Sequence, residues 1–277
     1  MYQLGLYEKA MPNRLSWPEK LTAAKKAGFD FVELSIDESG EKLSRLDWGR
    51  TQRKTLSRDM QDCDICFGSL CLSAHRKYPL GSHDPTLRAQ SLIIAEKAIH
   101  LATDLGIRMI QLAGYDVYYE TPDRDTERWF TDNLAQCVST AASEGVLLGF
   151  ETMETPFMDT VKKAMGYVGQ INSPYLQIYP DIGNLTNAAV KYRHDWKADL
   201  YTGIGHLAAM HLKETVPGVY REIPFGTGHV DFLEAVQTAK RLGVRRFTGE
   251  FWYDGSENWE EALSQSYTFL HHFLSEE

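Results

Sequence analysis

The sequence predicts a single parallel (β/α)8 barrel over residues 1–277. Two observations carry this. Eight short apolar runs recur at intervals of 27 to 42 residues, and the segments between them have the composition of helices, several closing on glycine. No linker rich in proline, glycine or serine and no shift of composition interrupts the alternation. A strand–helix unit repeated eight times is the pattern of a closed barrel. The rival, an open doubly wound sheet, lacks its usual support, a glycine-rich turn after the first strand.

The expected strands are 2–7, 29–36, 65–73, 107–114, 146–153, 176–183, 207–213 and 245–252. Their length and bounding glycines favour strands over helix fragments. The stretch WPEKLTAAKKAG reads as a helix ending at Gly28 with lysines in its last turn, where the helix dipole favours cations. A second helix begins at an Asp84 cap with Pro85 in its first turn and stops at Gly106. Two more end at Gly145 and Gly243, and the C-terminal NWEEALSQSYTFLHHFLSEE is amphipathic at helical spacing.

Composition narrows the function. The chain is 43% hydrophobic and 24% charged, the balance of a soluble globular protein. No apolar run approaches the roughly 20 residues that span a bilayer, and the N-terminus lacks the basic and apolar regions of a secretory signal, so the cytoplasm is the expected location. A net charge of −9 argues against a nucleic-acid partner, which needs a basic face. Cys63 and Cys66 have C-x2-C spacing, but no second pair completes a zinc site, so reduced thiols are expected.

In a (β/α)8 barrel the site is built at the C-terminal ends of the strands. The fifth run, VLLGFETM, ends in Glu151; the sixth, seventh and eighth carry Asp181, His211 and Glu250, spaced by 30, 30 and 39 residues. Each interval is one strand–helix repeat, so four neighbouring strands present Glu, Asp, His and Glu at one level. A lone acid at a strand end is an ordinary solvated residue. Four in phase make a ligand set for a divalent ion, with open positions left for substrate. The two glutamates could also exchange protons with opposite sides of a bound sugar.

Other residues are candidates to line this site. Glu33 interrupts the second strand, and a buried carboxylate needs a partner. His75, Arg76 and Lys77 follow the third strand and could hold an anion at the mouth. Lys213 and Arg221 lie in or just after the seventh strand, ahead of the turn PFGTGHVDF, whose backbone amides could bind phosphate. Glu154 reads as a loop residue and His206 as structural. No P-loop is present to bind a nucleotide.

The segments LGLYEKAMP, GFDFVELSIDE, LSRLDW, CLSAHRKYPLGS, IQLAGYDVYY, YPDIGNL, HLKETVPGVY and PFGTGHVDF cover most of the chain. In these segments it resembles the sugar-phosphate 3-epimerases of the xylose-isomerase-like TIM-barrel superfamily. The resemblance implies interconversion of L-xylulose 5-phosphate and L-ribulose 5-phosphate in pentose or L-ascorbate breakdown, by a homodimer. It also implies one divalent ion on Glu151, Asp181, His211 and Glu250, with Glu151 and Glu250 as the acid/base pair. Mn2+ or Zn2+ is expected ahead of Mg2+ or Co2+, although a mixed carboxylate–imidazole set admits all four. One departure stands out: relatives acting on free ketoses have a histidine three residues after the metal aspartate and an arginine six after the metal histidine. Asn184 and Pro217 stand there in this chain. Substrate contacts therefore do not carry across from those relatives, a phosphorylated substrate would account for the difference, and Asn184 stands among the substrate-binding candidates. Three alternatives remain: an aldose–ketose isomerase on the same barrel, an apurinic-site endonuclease, which the charge disfavours, and a non-catalytic sugar-phosphate sensor.

Overall fold

The computed structural model describes residues 1–276. Its strands are β1 (Gln3–Tyr7), β2 (Phe31–Ile36), β3 (Cys66–Leu72), β4 (Met109–Ala113), β5 (Leu147–Glu151), β6 (Leu176–Ile178), β7 (Met210–Leu212) and β8 (Arg246–Gly249). All pair in parallel, in the order β6-β5-β4-β3-β2-β1-β8-β7. The two end strands meet through parallel bridges, Ile178 with Leu207 and Asp181 with His211, which close the barrel. The eight predicted strands are all present; β6 and β7 keep only three residues each.

Outside the strands run α1 (Trp17–Ala27), α2 (Gly40–Leu43), α3 (Arg50–Asp62), α4 (Pro85–Asp104), α5 (Arg124–Glu144), α6 (Val161–Ile171), α7 (Ile182–Tyr192), α8 (Trp196–Tyr201), α9 (Phe232–Arg241) and α10 (Trp259–Ser275). The predicted caps are where the sequence puts them. The Asp84 side chain accepts from the Thr86 amide, and Gly28 and Gly145 end α1 and α5 in the left-handed conformation that side chains resist. No described helix is long and apolar enough to cross a membrane. All four cysteines are free thiols.

The barrel interior is filled in layers. Near the bottom, the Phe31 ring lies across the barrel against Gly5 of β1 and Gly68 of β3. A Cβ on either glycine would come within 2.1 and 2.4 Å of that ring, so both strands must be bare there. The Arg246 guanidinium covers the same ring from β8, 5.1 Å from its centre. With the bottom plugged, polar side chains higher on the strands face only the upper mouth.

The candidate metal and active site

Strand geometry delivers the four predicted ligands to one place. Glu151 is the last residue of β5, Glu250 follows β8 directly, and His211 is central in β7. Asp181 arrives differently. β6 stops at Ile178, the chain turns through Pro180, and Asp181 becomes the N-cap of α7, its Oδ1 accepting the Asn184 amide at 2.7 Å. One ligand atom from each of the four lies within 4.8 Å of the others, and all four residues are buried. Among the described residues this is the one such grouping of His, Cys, Asp and Glu.

The donor set fits a divalent cation. His211 turns Nδ1 toward the three carboxylates, 3.1 Å from Glu250 and 3.9 and 4.0 Å from Asp181 and Glu151. Asp181 Oδ2 is buried and accepts no hydrogen bond, its nearest cation being Lys213 Nζ at 3.3 Å. The Lys213 ammonium, 4% exposed, also stands 3.4 Å from Glu250. Buried carboxylates in this number are unstable without opposite charge. Burial pushes the Glu151 and Asp181 carboxyls well above their usual range, and the Glu250 charge adds to the push on both. Burial acts the same way on Glu250, but Lys213 and His211 outweigh it and hold that carboxyl low. Two glutamates of one site are thus driven apart in proton affinity.

The remaining candidates are dispersed. Glu33 does not line the cavity: it is fully buried one layer below, with Oε1 2.6 Å from His211 Nε2 and Oε2 accepting from Ser69 and Tyr179. Depth along a strand decides this, since Glu33 precedes the strand end by three residues. His75, Arg76 and Lys77 occupy a turn of 3-10 helix and its cap, where successive residues diverge by about 120°. His75 is buried, its Nε2 donating to the Ser91 carbonyl of α4, so it is no part of the mouth. Burial pushes that imidazole down to about 4. Lys77 is exposed, its ammonium 5.5 Å from the Tyr78 ring centre. Arg76 alone turns to the rim, over the Tyr118 ring at 4.8 Å and 3.3 Å from the Tyr115 hydroxyl. Arg221 reaches the same spot from the loop after β7, and both guanidiniums flank Glu154 at 3.9 and 3.7 Å. Glu154 is therefore more than a loop residue: it joins the loops after β3, β4, β5 and β7. Asn184 is buried in the wall, Nδ2 donating to the Thr152 carbonyl, with Oδ1 unpartnered. His206 bonds Gln177, a structural role.

Four amides of the turn at 224–232 are taken up inside the protein. Gly226 and Val230 donate to the buried Glu214 carboxylate, His229 to the Thr215 carbonyl and Thr227 to that of Pro224. Gly228 packs so tightly that a Cβ there would lie 2.1 Å from the Thr215 carbonyl oxygen. Glu214 was not anticipated, nor was Gln111 of β4, whose Nε2 lies 3.1 Å from both ring nitrogens of His211. Gln111 could have been found by the signal that picked out Glu33, a polar side chain inside an apolar strand. A cavity of about 640 Å3 opens beside Glu250 and Lys213, walled by Phe225, Trp252 and the acidic Glu222 and Asp254.

Comparison with known proteins agrees with this geometry. The model of the family described as Xylose isomerase-like TIM barrel matches residues 21–271. The L-ribulose-5-phosphate 3-epimerase UlaE of Escherichia coli is 47% identical over 256 residues, 92% of this chain and 89% of that protein, and the UlaE of Shigella flexneri matches to the same extent. Among solved structures, a D-allulose 3-epimerase from Methylomonas sp. superposes with a TM-score of 0.80 at 17% identity, covering 99% of this chain and 98% of its own. A structure of L-ribulose 3-epimerase gives 0.77 at 18% identity, over 99% and 95%. At such identities the superpositions speak for the fold, and the curated relatives speak for the family. The chain belongs to the xylose isomerase-like TIM barrel family and groups there with the L-ribulose-5-phosphate 3-epimerases, enzymes of the isomerase class.

Proposed function

We propose that this protein interconverts L-xylulose 5-phosphate and L-ribulose 5-phosphate by removing and returning the proton at C3. The observation that carries the reading is that Glu151 at the end of β5 and Glu250 just past β8 stand at the two ends of the run of four ligands, within one buried cluster. A proton on C3 is acidic only because the neighbouring C2 is a ketone. One glutamate takes that proton, leaving an enediolate, and the other returns one to the opposite side, which inverts C3. The roles exchange with the direction of reaction. Opposed proton affinities suit the pair, since one must be a base while the other is an acid. Lys213 is placed to donate to a developing oxyanion.

Glu151, Asp181, His211 and Glu250 would hold one divalent ion, Mn2+ or Zn2+ before Mg2+ or Co2+. Bound there, it would supply Lewis-acid polarisation of the ketone and neutralise the carboxylates. The substrate phosphate is assigned to the rim, where Arg76 and Arg221 share the single carboxylate of Glu154 and so carry excess positive charge. The acidic Glu222 and Asp254 disfavour a dianion against the part of the cavity wall they form. The proposal includes a homodimer in the cytoplasm, which light scattering and fractionation would check, acting in pentose or L-ascorbate breakdown.

Metal-reconstituted protein is given L-xylulose 5-phosphate in D2O and followed by proton NMR. L-ribulose 5-phosphate carrying deuterium at C3 is the expected product. Exchange centred on C1 and C2 would make the enzyme an aldose–ketose isomerase instead, and no exchange under any of the four ions would defeat the reading.

A further inference from the structure

Glu33 takes no part in the proton transfer just described, yet both oxygens of its buried carboxylate have partners. Oε1 lies 2.6 Å from His211 Nε2. Oε2 accepts from Ser69 Oγ at 2.6 Å and from the Tyr179 hydroxyl at 3.1 Å. The Tyr179 oxygen is in turn 2.6 Å from Thr248 Oγ1, so Thr248 can donate to Tyr179 while Tyr179 donates to Glu33. Glu33, Ser69, Tyr179, His211 and Thr248 are all 0% exposed. Glu33 and Ser69 face each other on the paired strands β2 and β3, His211 and Thr248 on β7 and β8, and with Tyr179 from the chain just past β6 the network joins these two strand pairs across the barrel.

A neutral imidazole carries one proton, and the atom that holds it decides which nitrogen keeps a lone pair. The ring has Glu33 on one nitrogen and three carboxylates on the other, with the Gln111 amide nitrogen equidistant from both at 3.1 Å and so favouring neither. Either side could draw the proton. Glu33 has the advantage of distance, 2.6 Å against 3.1 Å for the nearest of the three, and of hydroxyl donors that hold its carboxylate in place.

We infer that Glu33 is a positioning residue of the centre: it grips His211 through Nε2–H, so that the Nδ1 lone pair faces Glu151, Asp181 and Glu250. This rests on the metal-site reading and deepens it. It also assigns the carboxylate within β2 to the ligand and not to the sugar. Partners of this kind fix the ring orientation and strengthen the ligand; losing one commonly lowers metal affinity about 10–100-fold.

The test reads the ring directly, without turnover. Protein labelled with 15N in its histidines gives the tautomer of His211 from long-range 15N–1H correlations, the signal being identified by its loss in His211→Gln. The expected result, in the Zn2+-loaded wild type, is a protonated Nε2 and an unprotonated Nδ1. Binding of Mn2+ and Zn2+, measured by calorimetry, should weaken on the order of 10–100-fold in Glu33→Gln, with part of the loss recovered in Glu33→Asp. Ser69→Ala, which keeps the carboxylate and removes one of its donors, should cost less than Glu33→Gln. If Glu33→Gln does not fold, Glu33→Asp and Ser69→Ala still rank the effect. A proton on Nδ1 in the Zn2+-loaded wild type, or Glu33→Gln binding both ions as tightly as wild type, would overturn the assignment. So would a wild type that binds neither ion, which would also remove the metal centre. Protein that binds the ion through the predicted tautomer but does not exchange C3 would leave Glu33 in its role and defeat only the epimerase reading.

Discussion

Two clusters of buried charge stand at the upper ends of the strands, and they are opposites. Around Glu8, just past β1, one carboxylate meets three cations: Lys20 at 3.1 Å, Lys42 at 2.8 Å and Arg45 bidentate at 2.6 and 2.8 Å, with the Ser35 amide at 2.9 Å. Every partner comes from the chain itself. Against the upward push of burial, Arg45, Lys42 and Lys20 hold the Glu8 carboxyl far below its usual range. At the mouth, Glu151, Asp181 and Glu250, with Glu33 beneath them, share one lysine and one histidine. The first cluster is balanced in favour of cations, the second in favour of acids. A folded chain tolerates the second only by raising the proton affinity of some members or by taking up a cation from outside. That asymmetry separates a structural clamp from a site, and burial alone does not.

The largest expected effect breaks the site and spares the clamp. Glu151→Gln and Glu250→Gln should each lower kcat by about 10^2–10^4-fold or more, since each removes one partner of the proton exchange. Metal content must be measured on the same samples, because both residues are also ligands. Turnover retained by either variant at full metal occupancy would rule out the two-carboxylate scheme.

Next in size is the clamp. Glu8→Gln leaves three buried cations without a counter-charge and should cost about 3–5 kcal/mol of stability in urea titration, while the folded fraction keeps its turnover. Glu151→Gln should act in the opposite sense in chelator-treated protein, raising stability by about 1 kcal/mol as a carboxyl that burial, and next the Glu250 charge, keep from ionising gives way to a neutral amide. If both variants destabilise alike, the distinction between clamp and site fails.

Adding the ion sharpens the same contrast. At a free concentration 100 times its dissociation constant, a divalent ion should stabilise the wild type by about 2.7 kcal/mol. In thermal scans this is a rise of roughly 5–10 °C. Glu151→Gln should gain much less, whereas Glu8→Gln should gain as much as wild type from its lower baseline.

How far these clusters could be read from sequence follows from their geometry. Strand ends are legible because apolar runs end abruptly, and in a barrel all ends reach one rim; Glu151, His211 and Glu250 needed no more than that. Asp181 was found at the right level although β6 is already finished there, because the helix cap it forms holds it beside the strand end. Glu33 was recognised as a buried carboxylate needing a partner, but period-two alternation gives a face and not a depth, so its place under His211 was hidden. The Glu8 clamp was missed entirely. Its cations come from α1, α2 and the turn after α2, and nothing local marks Lys42 or Arg45 as buried. The turn at 224–232 misled because its glycines pack closely on Thr215 and serve a carboxylate of the chain itself, Glu214.

The smallest effect concerns His75, which sequence alone groups with Arg76 and Lys77 as a cation of the rim. Its burial against α4 depresses its pKa to about 4, outweighing the opposite effect of the hydrogen bond from Nε2 to the Ser91 carbonyl. The ring is therefore neutral in the folded protein at pH 6, whereas an unfolded chain takes up a proton near pH 6.5. Between these values the unfolded state binds more protons, so stability must rise with pH across the window and fall as the solution is acidified from about 6.5 toward 4. The Glu8 contribution lies lower: its folded pKa is depressed, so it is complete above the ordinary glutamate value and is lost only as pH falls below that. The two can be separated. His75→Gln keeps a donor for Ser91 and cannot take up the proton, so its urea midpoint should change less between pH 7 and pH 5 than that of wild type. The difference should be on the order of 1–2 kcal/mol. A steeper or equal slope in the variant would place a titrating histidine at the rim after all, and would return His75 to the anion-binding role that its neighbours in sequence suggest.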